Sequence, residues 1–327
     1  MKKLFPFLCM ATVLLTACQQ LNETVFNESD ERDEREVSIV ATIGKQNQSR
    51  TVMSDKDNTA FSFCEDDEIG VFTDGATDTY KWTLTSTGGQ SKWQPETSMQ
   101  WPEDDADQMV TFFAYSPYTG EMSENKVAMP SLSGQTGEAE NLGKYDFLVA
   151  SCTNNYKTSS GEISFTGDNA FKHVSSLIAF KVKNNPNMSG ATIQKVLFRG
   201  LGIATPTKYV FSNADTAPSI EALPTVDIVN ELELTVNQTV NEEGAIFYAI
   251  INPLTSKLTL SLSYTRDNIL YETKEVQLGT EFVSNNMYKY SLSVDKGEVI
   301  ITGADIDPWE SNEEGDITVD EVKKEQE

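Results

Sequence analysis

The first predicted β-strand of this chain is Val37-Ser38-Ile39-Val40-Ala41-Thr42-Ile43. Successive side chains of a strand point to opposite faces, so Val37, Ile39, Ala41 and Ile43 share one apolar face. This period of two predicts a strand that buries one side in a hydrophobic core. The composition of the chain changes at once on either side of this strand.

The segment before the strand is predicted to be a lipoprotein leader and a tether. Residues 1–17 begin with Lys2 and Lys3, continue as a mostly apolar run too short for a membrane span, and end directly before Cys18 in Leu-Thr-Ala. This order is typical of a bacterial lipoprotein signal peptide, and an ordinary signal peptide that happens to contain a cysteine is the alternative. Acyl chains on Cys18 would anchor the protein in a membrane. Residues 18–35 are polar and acidic, and they are predicted to form a lipidated, solvated tether.

The charge balance of the chain narrows its range of partners. Fifty acidic residues face 25 basic ones among 327 residues, which gives a formal net charge of −25. Such a chain cannot neutralise phosphates or adhere by charge to anionic lipid, so we predict no nucleic-acid partner.

Short β-rich runs separated by turn residues fill the rest of the chain. They lie at 68–73, 80–87, 109–116, 126–132, 145–153, 174–183, 192–199, 231–236, 246–251, 258–264, 271–278 and 287–294. No sustained 3.6-residue period occurs, so the spacing predicts an all-β protein, either a sandwich or a barrel. Two successive sets of strands imply two tandem β-sandwich domains, at residues 36–160 and 161–327.

The sequence offers little for catalysis or metal binding. His173 is the single histidine, which excludes zinc motifs with two histidines and triads that need a second assisting histidine. At the start of a predicted strand, His173 is interpreted as a core residue. The acidic clusters at 65–68 and 103–107 lack the spacing of a calcium loop and are expected in solvated loops. We therefore predict no enzyme activity, no metal site and no cofactor.

Two cysteines, Cys64 and Cys152, remain once the leader and Cys18 are set aside. An oxidising compartment permits a disulfide between them, and two buried free thiols are at least as compatible with the sequence. The sequence does not show the distance between their Cα atoms, so both alternatives stay open at this point.

Several short motifs, in their order along residues 36–319, resemble the Bacteroidetes fimbrillin family of fimbrillin-like, Mfa-like lipoproteins. They are Asp67-Glu68-Ile69-Gly70-Val71-Phe72, Trp101-Pro102, Phe112-Phe113-Ala114-Tyr115-Ser116-Pro117, Tyr145-Asp146-Phe147-Leu148-Val149-Ala150, Phe171-Lys172-His173-Val174-Ser175-Ser176-Leu177, Phe247-Tyr248-Ala249-Ile250-Ile251-Asn252-Pro253, Tyr288-Lys289-Tyr290 and Ile306-Asp307-Pro308-Trp309. The resemblance implies two tandem transthyretin-like β-sandwiches after the signal peptide. It also implies a subunit or accessory protein of surface fimbriae at the outer membrane.

The resemblance further implies a route of assembly with other fimbrial subunits. In polymerising relatives, lipoprotein export machinery carries the lipidated precursor to the outer membrane. A surface protease that cuts after arginine then removes the lipid, the lead and the first strand. A strand from a neighbouring subunit fills the groove that this removal opens.

Transferred to this sequence, the resemblance assigns the processing site to Arg50, with cleavage before Thr51. The removable strand is 37–43, and its loss would leave unpaired backbone groups above an apolar floor. The candidate donor strand contains Ile317 and Val319, with 299–306 as a second candidate. The first donor is short and acidic, which keeps an anchor or tip role open beside that of a stalk subunit. An ordinary loop arginine is the alternative interpretation of Arg50.

We therefore predict a surface-exposed fimbrial lipoprotein that assembles by strand exchange and supports adhesion. A surface glycan-binding lipoprotein is the first alternative, and exposed coplanar tryptophans would favour it. The spread of the tryptophans along the chain instead predicts core anchors; they are Trp82, Trp93, Trp101 and Trp309. A tethered hydrolase is the second alternative, and two carboxylates about 5–10 Å apart in a cleft would be its signature.

Overall fold

The computed structural model describes residues 35–44, 62–86, 92–101, 105–120, 122–212, 217–221 and 228–309. Strands dominate these residues, as the sequence pattern predicts. The strands up to residue 173 are β1 (Ser38–Ala41), β2 (Glu68–Thr73), β3 (Tyr80–Ser86), β4 (Lys92–Pro95), β5 (Val110–Ser116), β6 (Met122–Ser123), β7 (Lys126–Ala128), β8 (Leu148–Asn154), β9 (Glu162–Phe165) and β10 (Lys172–His173). The later strands are β11 (Ser176–Val182), β12 (Thr192–Arg199), β13 (Lys208–Val210), β14 (Ser219–Ile220), β15 (Glu231–Thr239), β16 (Ala245–Ile251), β17 (Leu258–Arg266), β18 (Ile269–Glu272), β19 (Val276–Gly279), β20 (Asn286–Asp295) and β21 (Glu298–Pro308).

Helical structure in the described residues is limited to three short turns. The α-helical turn α1 spans Tyr156–Ser159, and the Asn155 side chain caps it by accepting a hydrogen bond from the Thr158 backbone N–H at 2.9 Å. Two 3-10 turns span Ala139–Lys144 and Gly167–Asn169. None of these turns has the length and apolar character that a membrane crossing needs.

A six-stranded sheet of order β10-β8-β5-β2-β3-β4 organises the first half of the chain. Both of its faces are covered. Ile69 and Val71 of β2 lie in the main core, whereas Phe72 joins Phe113 and Phe211 in a second, aromatic core. A small sheet of order β14-β13-β7-β6 contributes Val127 to that second core. This double burial explains why β2 and β5 are continuous apolar runs rather than alternating ones.

The second half is a sandwich of two sheets. One sheet has the order β16-β11-β20-β21, and the other has the order β15-β12-β17-β18 with β19 also paired to β17. Phe180 of the first sheet and Phe198 of the second meet edge to face, with ring centroids 5.9 Å apart. Both rings are fully buried, so they mark the centre of this sandwich. The all-β, sandwich-based fold class predicted from the sequence is confirmed.

Strand pairing crosses the predicted domain boundary between residues 160 and 161. β9 pairs with β1, and β10 pairs with β8, although both strands follow residue 160. β7 of the first half pairs with β13 of the second. The division into two domains stays a prediction, and this pairing favours a boundary after His173 over one at residue 160.

Candidate functional site

The candidate site is β1 and the groove that holds it. Val37, Ile39, Ala41 and Ile43 are all less than 10% exposed, whereas Ser38 between them is exposed. The apolar face predicted from the period of two is therefore present, and it packs into the main core of the chain.

A single parallel ladder holds β1 to β9. Ser38 pairs with Glu162, and the register continues to Ala41 opposite Phe165. The Ser38 N–H donates to the Gly161 carbonyl at 3.0 Å, and the Thr42 N–H donates to the Phe165 carbonyl at 3.0 Å. These bonds use the even-numbered residues of the strand, so one edge of β1 faces β9.

Among the residues that the structure describes, the other edge of β1 is paired only at its start. The Val37 N–H donates to the Met99 carbonyl at 2.8 Å. Beyond this point, the backbone N–H groups of Ile39, Ala41 and Ile43 have no hydrogen-bond partner among the residues that the structure describes. Within the described part of the chain, one ladder and one apolar face therefore attach β1 to its surroundings, which is the arrangement of an edge strand.

The floor of the groove is aromatic. Phe165 of β9 is fully buried, and its ring centroid lies 5.8 Å from that of Phe171. Phe171 in turn meets Phe63 edge to face at 5.1 Å. At the start of the groove, the Trp101 indole N–H donates to the Gly161 carbonyl at 3.2 Å. This preformed floor would be left as an apolar slot if β1 were absent.

The partner strand β9 is the functional element that sequence reasoning missed. Its segment alternates buried Ile163 and Phe165 with more exposed residues, which is a recognisable strand signal. The prediction placed it in the second domain because it follows a polar break in sequence. Pairing with a strand more than a hundred residues earlier leaves no local mark, so the sequence could not reveal it.

Several predicted site residues lie outside the described residues. They are Cys18, Arg50, Thr51, Ile317 and Val319. The second donor candidate, 299–306, lies within β21, where it forms an antiparallel ladder with β20. Donation of 299–306 would therefore require this ladder to open.

Cys64 and Cys152 do not form a disulfide with each other, so the structure favours the alternative of two separate thiols. Cys152 is buried in β8, and its thiol contacts the backbone of Ser164 in β9. Burial raises the pKa of the Cys152 thiol to about 12.

We expect Cys152 to resist alkylation in the folded protein, because the thiolate is the reactive form and its burial also denies access. At pH 8, iodoacetamide should modify the partly exposed Cys64 at least ~10-fold faster than Cys152, as mass spectrometry of peptides would show. Both cysteines should react alike in urea. Equal alkylation rates of Cys64 and Cys152 in the native protein would contradict the burial of Cys152 between β8 and β9.

The single histidine lies in a buried cluster that joins the two halves of the chain. His173 Nδ1 is 2.8 Å from Asp146 Oδ2, and both side chains are almost fully buried. The imidazole stacks on Trp309, with 3.9 Å between ring centroids and 4° between ring planes. The interpretation of His173 as a core residue is confirmed, although it ends the short strand β10 rather than starting a strand. Its carboxylate partner Asp146 had no signal in the sequence.

The described residues contain no cluster of three or more metal-ligating side chains. The four tryptophans are buried, and the most exposed of them reach only 5%. Their burial confirms the prediction of core anchors and removes the exposed aromatic platform that would favour the glycan-binding alternative.

Comparisons with known proteins fit this geometry. The model of the fimbrillin-like family matches residues 49–309, which confirms the resemblance seen in the sequence. A proposed cell adhesion protein from Bacteroides ovatus superposes with a TM-score of 0.55 at 19% identity, over 85% of this chain and 99% of that chain. A second one, from Bacteroides uniformis, gives 0.55 at 15% identity, over 84% and 98%. At these identities the two structures share the fold. No curated protein matches the sequence.

Proposed function

The chain belongs to the fimbrillin-like family, and we propose that it is exported as a lipoprotein and assembles into fimbriae by exchange of its first strand. Family membership supports a structural, surface-associated role in fimbriae and adhesion. The finer proposal adds acylation of Cys18, cleavage after Arg50, and replacement of β1 by a strand from another subunit. The donor candidates within this chain are Ile317 and Val319, and the lipid would hold the precursor in the outer membrane.

The attachment of β1 carries this proposal. Among the described residues β1 is an edge strand with one ladder, and its apolar face packs in one core with the floor residues Ile163 and Phe165, which lie beside it on β9. Loss of β1 would expose this floor and the free edge of β9, and an added β-strand satisfies both at once. The family match also begins at residue 49, after β1 and beside the Arg50–Thr51 bond. A cut there would separate β1 from the matched region.

The test is the N-terminus and intact mass of the protein recovered from the cell surface. We expect a chain that begins at Thr51 and runs in ladders that resist mild detergent. Arg50→Ala should abolish the Thr51 N-terminus and the ladders. The control Arg32→Ala should leave the N-terminus and the ladders unchanged, because Arg32 precedes β1 and a cut there would not open the groove. A chain that begins at acylated Cys18 and forms no ladder would contradict strand removal and leave an anchor role.

A further inference from the structure

We propose that β1 stays docked after the chain is cut at residue 50, and that a clamp at its N-terminal end is the last part to open. The clamp consists of residues 98–101, Tyr156 and Gly161, and it holds residues 35–38. This inference rests on the proposed function and concerns its regulation. It adds that the cut alone frees neither the groove nor the lipid, so the subunit leaves the membrane only when β1 is displaced.

Two backbone hydrogen bonds close the clamp on the edge of the strand that faces away from β9. The Trp101 N–H donates to the Arg35 carbonyl at 3.0 Å, and the Val37 N–H donates to the Met99 carbonyl at 2.8 Å. These bonds flank an antiparallel bridge at Glu36. The chain therefore enters β1 through a short antiparallel ladder, which is separate from the parallel ladder between β1 and β9.

Gly161 holds the same end of the strand on the opposite edge. Its carbonyl accepts hydrogen bonds from the Ser38 N–H at 3.0 Å and from the Trp101 indole N–H at 3.2 Å. Gly161 has a φ of +86°, and a Cβ at this position would lie 3.2 Å from the Glu36 carbonyl oxygen. Glycine permits both this backbone conformation and this close approach. The N-terminal end of β1 is thus hydrogen-bonded along both edges.

Two side-chain contacts add to the clamp. The Arg35 guanidinium lies over the Tyr156 ring at 5.7 Å from its centroid, which is the geometry of a cation–π interaction. Tyr156 in turn meets Trp101 edge to face at 5.9 Å. The Glu36 carboxylate accepts a hydrogen bond from the Ser98 hydroxyl at 2.6 Å. Both contacts act on the chain at the point where it enters β1.

The C-terminal end of β1 is held along one edge in the described part of the chain. The Thr42 N–H donates to the Phe165 carbonyl at 3.0 Å, and the Gly44 N–H donates to the Phe171 carbonyl at 2.9 Å. This end, which lies nearer to residue 50, separates from the groove when a single ladder opens. The N-terminal end separates only when both of its edges and the two side-chain contacts are lost.

This asymmetry determines what a cut after residue 50 does. The fragment that ends at residue 50 contains β1, its four buried apolar side chains and the proposed lipid site Cys18. A docked β1 therefore links the lipid to the body of the subunit without a covalent bond. Displacement of β1, beginning at its C-terminal end, would fill the groove and release the body from the lipid in one step. A subunit that is cut but not yet assembled would stay at the membrane.

Retention of a cut chain tests the inference. A chain that carries an affinity tag in place of residues 1–17, and the recognition site of a sequence-specific protease directly after residue 50, is immobilised through the tag and cut to completion. We expect the body to stay on the resin in native buffer and to elute in urea. Elution as soon as the bond is cut would overturn the inference and leave the proposed strand removal intact. The engineered cut makes this result independent of whether Arg50 is processed in cells.

Two matched double variants test the role of the clamp in retention. Arg35→Ala/Glu36→Ala removes both side-chain contacts of the clamp, whereas the control Ser38→Ala/Thr42→Ala removes two polar side chains from the same segment and leaves those contacts in place. After the cut, we expect the first variant to release the body at least ~5-fold faster than the control, because a cation–π contact and a hydrogen bond together contribute roughly tenfold in affinity. Equal release from the two variants would overturn the role of the clamp.

Hydrogen exchange in the cut chain with its natural sequence checks the order of opening without a substitution. Relative to their intrinsic rates, the amides of Val37 and Ser38 should exchange at least ~10-fold more slowly than those of Thr42 and Gly44. All four amides donate to backbone carbonyls, so a difference reports how each end is held rather than whether a hydrogen bond exists. Equal protection of the two ends, or weaker protection of Val37 and Ser38, would show that β1 does not open from the end beside the cut.

Discussion

Replacement of Asp146 by alanine is expected to lower the free energy of unfolding by about 3 kcal/mol, measured by urea denaturation. The substitution removes the carboxylate that lies 2.8 Å from His173 Nδ1 and leaves a buried imidazole without this partner. The cluster also holds the stacked Trp309 at the end of β21. Both halves of the chain should therefore unfold in one transition, at a lower urea concentration than in the wild type.

Two companion variants identify the cause of this loss. Asp146→Asn keeps the shape and one oxygen that can accept a hydrogen bond, so we expect roughly half the loss. Asp146→Ala combined with His173→Phe removes both polar groups while an aromatic ring still stacks on Trp309, and it should cost less than the sum of the single changes. An unfolding midpoint for Asp146→Ala within error of the wild type would contradict the importance of this pair.

Replacement of Ile39 by aspartate is expected to detach β1 while the rest of the fold persists. Burial of an Ile side chain contributes about 1.5–3 kcal/mol, and an unpaired buried carboxylate adds a penalty of several kcal/mol. Together these two costs offset much of the free energy by which apolar burial and one ladder hold the four-residue strand β1 in place. Hydrogen exchange of residues 37–44 should become fast, and far-UV circular dichroism should change little.

The neighbouring residue supplies the matched control for this prediction. Val40 is on the opposite, partly exposed face, so Val40→Asp places the same carboxylate near solvent and should leave exchange in β1 nearly unchanged. If the backbone amides of β1 exchange equally slowly in both variants, the strand does not depend on its apolar face. If both unfold the whole chain, β1 is an integral part of the core rather than a detachable edge.

Local patterns were sufficient where one face of a strand is buried or where a run is short and bounded by turns. The period of two in residues 37–43 predicts the buried face of β1, and the predicted runs 68–73 and 192–199 coincide with β2 and β12. The continuous apolar segments of β2 and β5 show that a strand exists without showing that a second sheet covers its outer face. Periodicity carries that information only when one face meets water.

Long-range pairing accounts for what the sequence could not show. The parallel partner of β1 follows it by more than a hundred residues, and no turn connects the two strands. Asp146 and His173 are 27 positions apart and meet only because β8 and β10 pair. Register and side-chain proximity of this kind depend on the assembled sheets. The sequence therefore predicts the apolar face of β1, whereas it does not reveal the residues against which that face packs.

The parallel pairing of β1 with β9 also affects how the chain folds as it is made. Ser38 leaves the ribosome 124 residues before its partner Glu162, so β1 has no site to dock on until most of the first half exists. Closing so long a loop costs entropy, and contacts of high sequence separation form slowly. During synthesis and export the N-terminal segment is therefore expected to stay extended and accessible. The strand that we propose is exchanged is then also a strand that the first half of the chain acquires late.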